Sequence, residues 1–412
     1  MLLKRLQQIE MKLIIQLIIA AFFSGIIPLL FEPLFKNNFS PLEYGNYDLF
    51  LKLMMIFTLL MTFKAETLLS SSSLKDLEKI YNDCVTLSLT CFLIYTLFYL
   101  LVVFLFNTDF SITVFLALVS GLLFSLITTT VTYLLRQKQK LYVTIQKPIR
   151  RIVEALTLIL FINFYKLPFS LEISTIVGLT ASALPLLQKS RLRLSSIGIS
   201  IQPQLNLLKK SKSVMIGEVF NTLSLSFLSF FVFMNYSIND LGVLELSFKI
   251  LSIPQLLICS VLAIIIQNNI GALVSERKPI LNNIRQFFFF LAFMATVFTL
   301  TIFLGAEIVI STLFEDQWSK SINYTKRLLP HLFFFIIFSP LSRVLYALMD
   351  NKAIRNWQFL KLLFISSTLF FYKKNLDDFL SIYAIVSAFS YLLLIWVIAN
   401  SVRKYNAKLE EL

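Results

Sequence analysis

Residues 84–106 read CVTLSLTCFLIYTLFYLLVVFLF, 23 residues without a charge. As a helix rising about 1.5 Å per residue, such a stretch covers roughly 30 Å, the hydrocarbon thickness of a bilayer. A second run, 286–305, reads QFFFFLAFMATVFTLTIFLG and is equally uncharged. Neither alternates apolar and polar residues as the strands of a membrane barrel do, so both predict helices. Extending the same test along the chain predicts twelve spans: 13–35, 44–63, 84–106, 110–135, 148–165, 169–188, 213–235, 241–270, 286–305, 326–349, 353–371 and 378–400.

The composition of the 412 residues agrees. Hydrophobic residues make up 57% and charged residues 15%, well below the roughly 25% charged of a soluble domain. Phe occurs 42 times and mean hydropathy is +0.79. A soluble core grows too slowly with chain length to hide that much apolar surface. The same composition excludes most soluble enzymes. With 9 Gly, 3 Cys and 1 His there is no material for a Gly-rich phosphate cradle or a His/Cys metal centre. Cys84, Cys91 and Cys259 lie in apolar runs and read as small core residues. The run at 13–35 follows Lys4, Arg5 and Lys12; it is too long for a signal peptide's apolar region and reads as a retained first span.

The net charge of +14 does not point to nucleic acid, because the basic residues cluster in short segments between apolar runs. With the N-terminus inside, 25 of the 37 Lys and Arg fall on the inner side and 7 on the outer; 5 lie within or at the ends of spans. That bias, with an even number of spans, predicts both termini in the cytoplasm. The longest stretch between spans is 189–212, which is basic at both ends and weakly amphipathic. It predicts a linker with an interfacial helix between a six-helix lobe at 1–188 and a second at 213–412.

The lobes carry an internal repeat. Span two opens with Gly45-Asn-Tyr-Asp48-Leu49-Phe-Leu-Lys52, and span eight, 197 residues later, with Gly242-Val-Leu-Glu245-Leu246-Ser-Phe-Lys249. A weaker echo pairs Phe124-Ser125 with Phe338-Ser339. Spans two and eight have the same orientation, which predicts parallel repeats about an axis along the membrane normal. Asp48 with Lys52 and Glu245 with Lys249 are i, i+4 pairs with the acid first, the better order on a helix. A lone charge at a helix centre costs about 2.5–3.5 kcal/mol on insertion scales, so these residues need a purpose. Two remain open: structural ion pairs, or helices lining a central cavity with Lys52 and Lys249 facing each other. Glu154 and Glu218, each about two turns in from the inner side, either cap and snorkel or couple transport to a proton or cation. Arg343 and Lys361 lie deeper and are candidates to face the cavity. His331 reads as interfacial.

Several stretches resemble the Wzx-type polysaccharide flippases of the multidrug/oligosaccharidyl-lipid/polysaccharide exporter superfamily. They are Ser40-Pro41-x-x-Tyr44-Gly45-x-Tyr47, Lys64-Ala65-Glu66, Leu241-Gly242-x-Leu244 through Lys249 to Pro254, and Trp318 to Pro330 followed by Pro340-Leu341 and Asp350-Asn351-Lys352. Lys stands at 64 and 249 where the family usually has Arg, keeping charge but losing the bidentate fork. The resemblance implies two six-helix lobes around a cavity that opens alternately to each side. It implies export of undecaprenyl-pyrophosphate-linked oligosaccharide repeat units across the bacterial cytoplasmic (inner) membrane for O-antigen or capsule, with no enzymatic activity and no cofactor. Lys52, Lys249, Arg343 and Lys361 would then contact the cargo, and Asp48, Glu245, Glu154 and Glu218 would serve coupling. Expected partners are the lipid-linked oligosaccharide, membrane lipids, a polysaccharide polymerase and a chain-length regulator. A cation-coupled multidrug exporter of the same superfamily is the nearest alternative, though it would favour an acidic cavity. A membrane-embedded polymerase is more remote, since the longest loop carries no acidic residue.

Overall fold

A computed structural model describes residues 25, 27, 28, 30–73, 75–107, 109–164, 167–190, 201–255, 259–371 and 375–410. All regular structure among them is helical. The expectation of an all-helical polytopic protein holds. Seven helices among the described residues are long and apolar enough to cross a membrane: Leu77–Phe106, Ile112–Arg136, Ser170–Ser190, Gln202–Asn235, Leu281–Leu313, Asp316–Ala347 and Leu376–Ala407. Most of the first expected span, 13–35, lies outside the described residues.

The chain divides into two compact units, the first holding Asn46–Met215 with the described residues up to Asn38, the second Phe39–Gly45 with Ile216–Leu412. In the first unit, helix α1 covers 30–38. It is followed by α2 (Pro41–Thr62, whose opening turn belongs to the second unit), α3 (Thr67–Ser71), α4 (Leu77–Phe106), α5 (Ile112–Arg136), α6 (Lys140–Asn163) and α7 (Ser170–Ser190). Helix α2 ends where Phe63 and Lys64 both take left-handed backbone conformations, so the Lys64-Ala65-Glu66 element is a turn. The core joins Met54, Tyr81, Val85, Ile127, Leu134 and Leu179 from α2, α4, α5 and α7. Tyr81 stacks on Tyr133 with ring centroids 4.2 Å apart, and its hydroxyl donates to Ser190 Oγ at 2.9 Å. The opposite side of α4, with Leu97, Phe98 and Phe104, is exposed, as a lipid-facing surface should be. Cys84 and Cys91 are buried core residues, as is Cys259 of the second unit.

Helix α8 (Ile201–Asn235) is continuous over 35 residues, so 201–212 forms its opening turns; 191–200 lies outside the described residues. The second unit continues with α9 (Ile238–Pro254), α10 (Ser260–Ser275), α11 (Leu281–Leu313), α12 (Lys320–Leu341), α13 (Arg343–Ala347), α14 (Asn351–Ser367) and α15 (Leu376–Glu410). Two expected spans are divided. Span 241–270 falls into α9 and α10, the first ending at Pro254, whose ring removes a backbone donor. Span 326–349 falls into α12 and α13 around Ser342, two residues after Pro340. Helix α14 begins on Asp350, whose carboxylate accepts from the Ala353 amide at 3.1 Å and from Ser401 Oγ at 2.9 Å. Trp318 is fully buried, with Tyr44 edge-on at 5.6 Å.

The two motif-bearing helices start in the same way. Ser40 and Glu43 form a reciprocal capping box ahead of α2: Glu43 Oε2 accepts from the Ser40 amide at 2.7 Å, and Ser40 Oγ accepts from the Glu43 amide at 3.3 Å. Ahead of α9, Ser237 Oγ accepts from the Asp240 amide at 3.0 Å and donates to Asp240 Oδ2 at 2.7 Å. Both serines stand five residues before the motif glycine, so the repeat reads S-x-x-[DE]-x-G-x-x-[DE]-L-x-x-K. The two openings also cross. A Cβ on Gly45 would run into the Ile238 carbonyl, and one on Gly242 into that of Pro41. Pro41 and Ile238 occupy equivalent places in the repeat, so the contact is reciprocal.

Candidate functional site

The charged side chains that composition singled out sort into clusters, each within one unit. On α2, Lys52 Nζ lies 3.5 Å from Asp48 Oδ1; the acid side chain is 5% exposed and the lysine 20%. On α9, Lys249 Nζ lies 3.1 Å from Glu245 Oε1, with 6% and 28% exposed. The arrangement is therefore repeated: carboxylate underneath, ammonium on the accessible side. Lys249 Nζ also sits 5.2 Å from the Tyr44 ring centroid, so an aromatic face supports that cation.

Glu154, on α6, is buried and anchored from several directions. Arg151 Nη1 donates to Oε2 at 2.8 Å, Thr175 Oγ1 donates to Oε1 at 2.9 Å, and Tyr47 Oη donates to the same oxygen at 3.2 Å. Three helices thus converge on one carboxylate. The approach depends on Gly178, one turn beyond Thr175 on α7: a Cβ there would sit 2.8 Å from the Arg150 carbonyl. Arg150 itself lies over the Phe124 ring at 5.4 Å. Arg150 and Arg151 lie on α6, the helix that carries Glu154. Lys36, counted outside, is fully buried with its Nζ 3.9 Å from Glu32 on the same helix.

In the second unit Glu218 on α8 is half-buried and within electrostatic range of Tyr346. Arg343 reaches the same residue, its guanidinium 5.0 Å from the ring centroid. Lys361 is buried on α14, its Nζ 5.7 Å from the Trp357 ring and 5.5 Å from that of Tyr391. His331, expected at the interface, bonds through Nδ1 to Ser387 Oγ at 2.7 Å and packs among Phe335, Tyr383 and Tyr391. The i, i+4 pairs were visible as spacing. Arg151 beside Glu154 and Trp357 beside Lys361 are also local; the partners Tyr47, Thr175 and Tyr391 come from other helices, and no local pattern marks them.

In fold, the chain is similar to the inward-facing conformation of a multidrug resistance MATE family transporter of the MOP superfamily, with TM-score 0.63, 12% identity and 95% of each chain covered. It is similar to the outward-facing conformation of such a transporter at TM-score 0.61 and 12% identity, over 97% of each chain. It also matches the Vibrio cholerae MATE transporter VcmN in the bent form, at 0.58 and 13%, over 96% of this chain and 98% of that one. The fold is thus that of these MATE transporters. Residues 11–266, more than half of the chain, match the model of the Polysaccharide biosynthesis protein family, and the chain belongs to that family. A comparison with curated proteins found no match. Family and fold together give a multi-pass membrane protein of the Polysaccharide biosynthesis protein family with a MATE-like fold, in agreement with the resemblance drawn from the motifs.

Proposed function

We propose that the protein carries undecaprenyl-pyrophosphate-linked oligosaccharide repeat units across the bacterial cytoplasmic membrane, for O-antigen or capsule assembly, with both termini in the cytoplasm. The observation that carries this is the repeated ion pair with its ammonium on the accessible side. A lipid-linked oligosaccharide has a tail that stays in hydrocarbon and an anionic, sugar-bearing head that does not cross unaided. Partly exposed cations at Lys52 and Lys249 supply attraction to that head. Their buried carboxylates lower the cost of keeping the cations at membrane depth when no cargo is present. Arg343, half-buried and without an ion pair among the described residues, adds a fork suited to phosphate oxygens. A cationic drug would meet repulsion from the same groups. The chain performs no bond chemistry in this scheme: it lowers a solvation barrier, and a polymerase and chain-length regulator act on the delivered units.

Depleting the protein in its own cells tests the proposal. Surface polysaccharide should fall while lipid-linked repeat units build up on the inner leaflet. Unchanged polysaccharide, with raised sensitivity to cationic drugs, would contradict it.

A further inference from the structure

We infer that Lys361 and His331 form a proton-carrying site inside the second unit, loaded and unloaded as the transporter works. The inference rests on the chain being a transporter and not on which cargo it carries. Three helices build the site. Helix α12 supplies His331, α14 supplies Trp357 and Lys361 one turn apart, and α15 supplies Tyr383, Ser387 and Tyr391 at four-residue spacing along one face. The two bases share a neighbour: the His331 ring centroid is 5.9 Å from that of Tyr391, and Lys361 Nζ is 5.5 Å from it.

Lys361 is 5% exposed, and among the described residues no carboxylate lies in ion-pair range of it. Lys52, Lys249 and Arg151 each face a carboxylate at 3.5 Å or less, and Arg343, which does not, is half-buried; Lys361 is buried without such a partner among the described residues. The faces of Trp357 and Tyr391 support the ammonium but do not replace a counterion. Lysine is able to release its proton where arginine holds it. Among the described residues, the other titratable groups at the pair are Tyr383 and Tyr391 from α15, with Cys259 ahead of α10 beside Tyr391; none of them is a carboxylate. Two positive charges in one apolar pocket repel strongly, so the site holds one proton at a time.

The step is a proton relay. Water from one side protonates Lys361 Nζ; the Lys361 N–H bond then breaks, its electron pair stays on Nζ, the proton bonds to the free ring nitrogen of His331, and that nitrogen gives it up to water on the other side. Ser387 Oγ, 2.7 Å from Nδ1, both donates and accepts, so the histidine keeps this bond in either tautomer and either charge state. Ser387 is fixed from below, because its carbonyl accepts from Ser390 Oγ at 2.6 Å. Trp357 is fixed through Nε1, which donates to the Ser390 carbonyl at 3.4 Å.

Trp357 is a built-in reporter, since its ring lies against the titrating nitrogen. The experiment uses the full chain, purified in detergent, with Trp396→Phe to remove the exposed indole; Trp318, fully buried beside Tyr44, stays as a constant background that a Trp357→Phe control measures. Trp357 emission should show one reversible transition between about pH 5 and 10, the range in which His and Lys titrate. Lys361→Arg keeps size, charge and ring contact and should elute and melt like the parent, yet lose the transition. His331→Gln should displace it. In proteoliposomes, a pH gradient should accelerate transport by the parent protein and not by the Lys361→Arg variant. No transition in the parent, a transition unchanged in both variants, or undiminished gradient response in folded Lys361→Arg would overturn the site. The emission measurement needs no cargo, so its outcome is separate from that of the lipid-linked cargo proposal.

Discussion

Asp48 and Glu245 sit under their lysines, and what each lysine meets on its accessible side decides the chemistry. If Lys52 and Lys249 contact an anionic head, changing both to Gln should lower export far more than protein level, measured by membrane immunoblot against surface polysaccharide. Normal export at normal level would make both pairs structural. Arg343 allows a finer test because Lys keeps its charge and loses its fork. Arg343→Lys should lose roughly tenfold in transport, the effect of one charge-assisted hydrogen bond worth about 1.5 kcal/mol, and Arg343→Ala should lose more. Full activity of the Lys variant would remove the phosphate-clamp role. At this scale the sequence disclosed the acid–base spacing, because both partners lie on one helix. It did not disclose that Tyr47, Thr175 and Arg151 converge on Glu154, since three helices supply them. Nor did it place Lys36, which a loop boundary drawn from hydropathy had left outside.

Helix α9 begins as α2 does, with a capped first turn and a glycine pressed on the other's backbone. A side chain at Gly242 has no room, because the obstacle is the backbone carbonyl of Pro41. Gly242→Val should therefore destabilise the purified protein by about 2 kcal/mol or more, read as a lower melting temperature. Gly271 has open space around its Cβ position, so Gly271→Ala is the control and should leave melting unchanged or slightly raised. Equal melting of the two variants would mean the crossing contributes nothing. The capping serines were readable from the S-x-x-[DE] spacing. The divisions after Pro254 and near Ser342 were not, because hydropathy averaged over a whole span does not register the single proline at each break.

The all-helical membrane class was legible because lipid imposes one rule, that backbone polar groups be satisfied within helices. The remaining excess of Lys and Arg on one side predicts topology, which labelling checks. The native cysteines are buried, so background is low. Cysteines replacing Asn38 and Asn375 should react with an impermeant thiol reagent added outside, and those replacing Lys138 and Lys352 should not; the reverse pattern would invert the chain. Substrate was less legible, since one fold hosts different functions. In the proposal, the charge on the accessible side of each ion pair selects an anionic cargo over a cationic drug. Purified protein in liposomes carrying a fluorescent polyprenyl-pyrophosphate oligosaccharide puts that difference to the test. Quenching by an impermeant reagent should reach the inner-leaflet pool with the protein present and only the outer pool without it. Protection of the inner pool by active protein that instead accumulates a cationic dye would contradict the assignment.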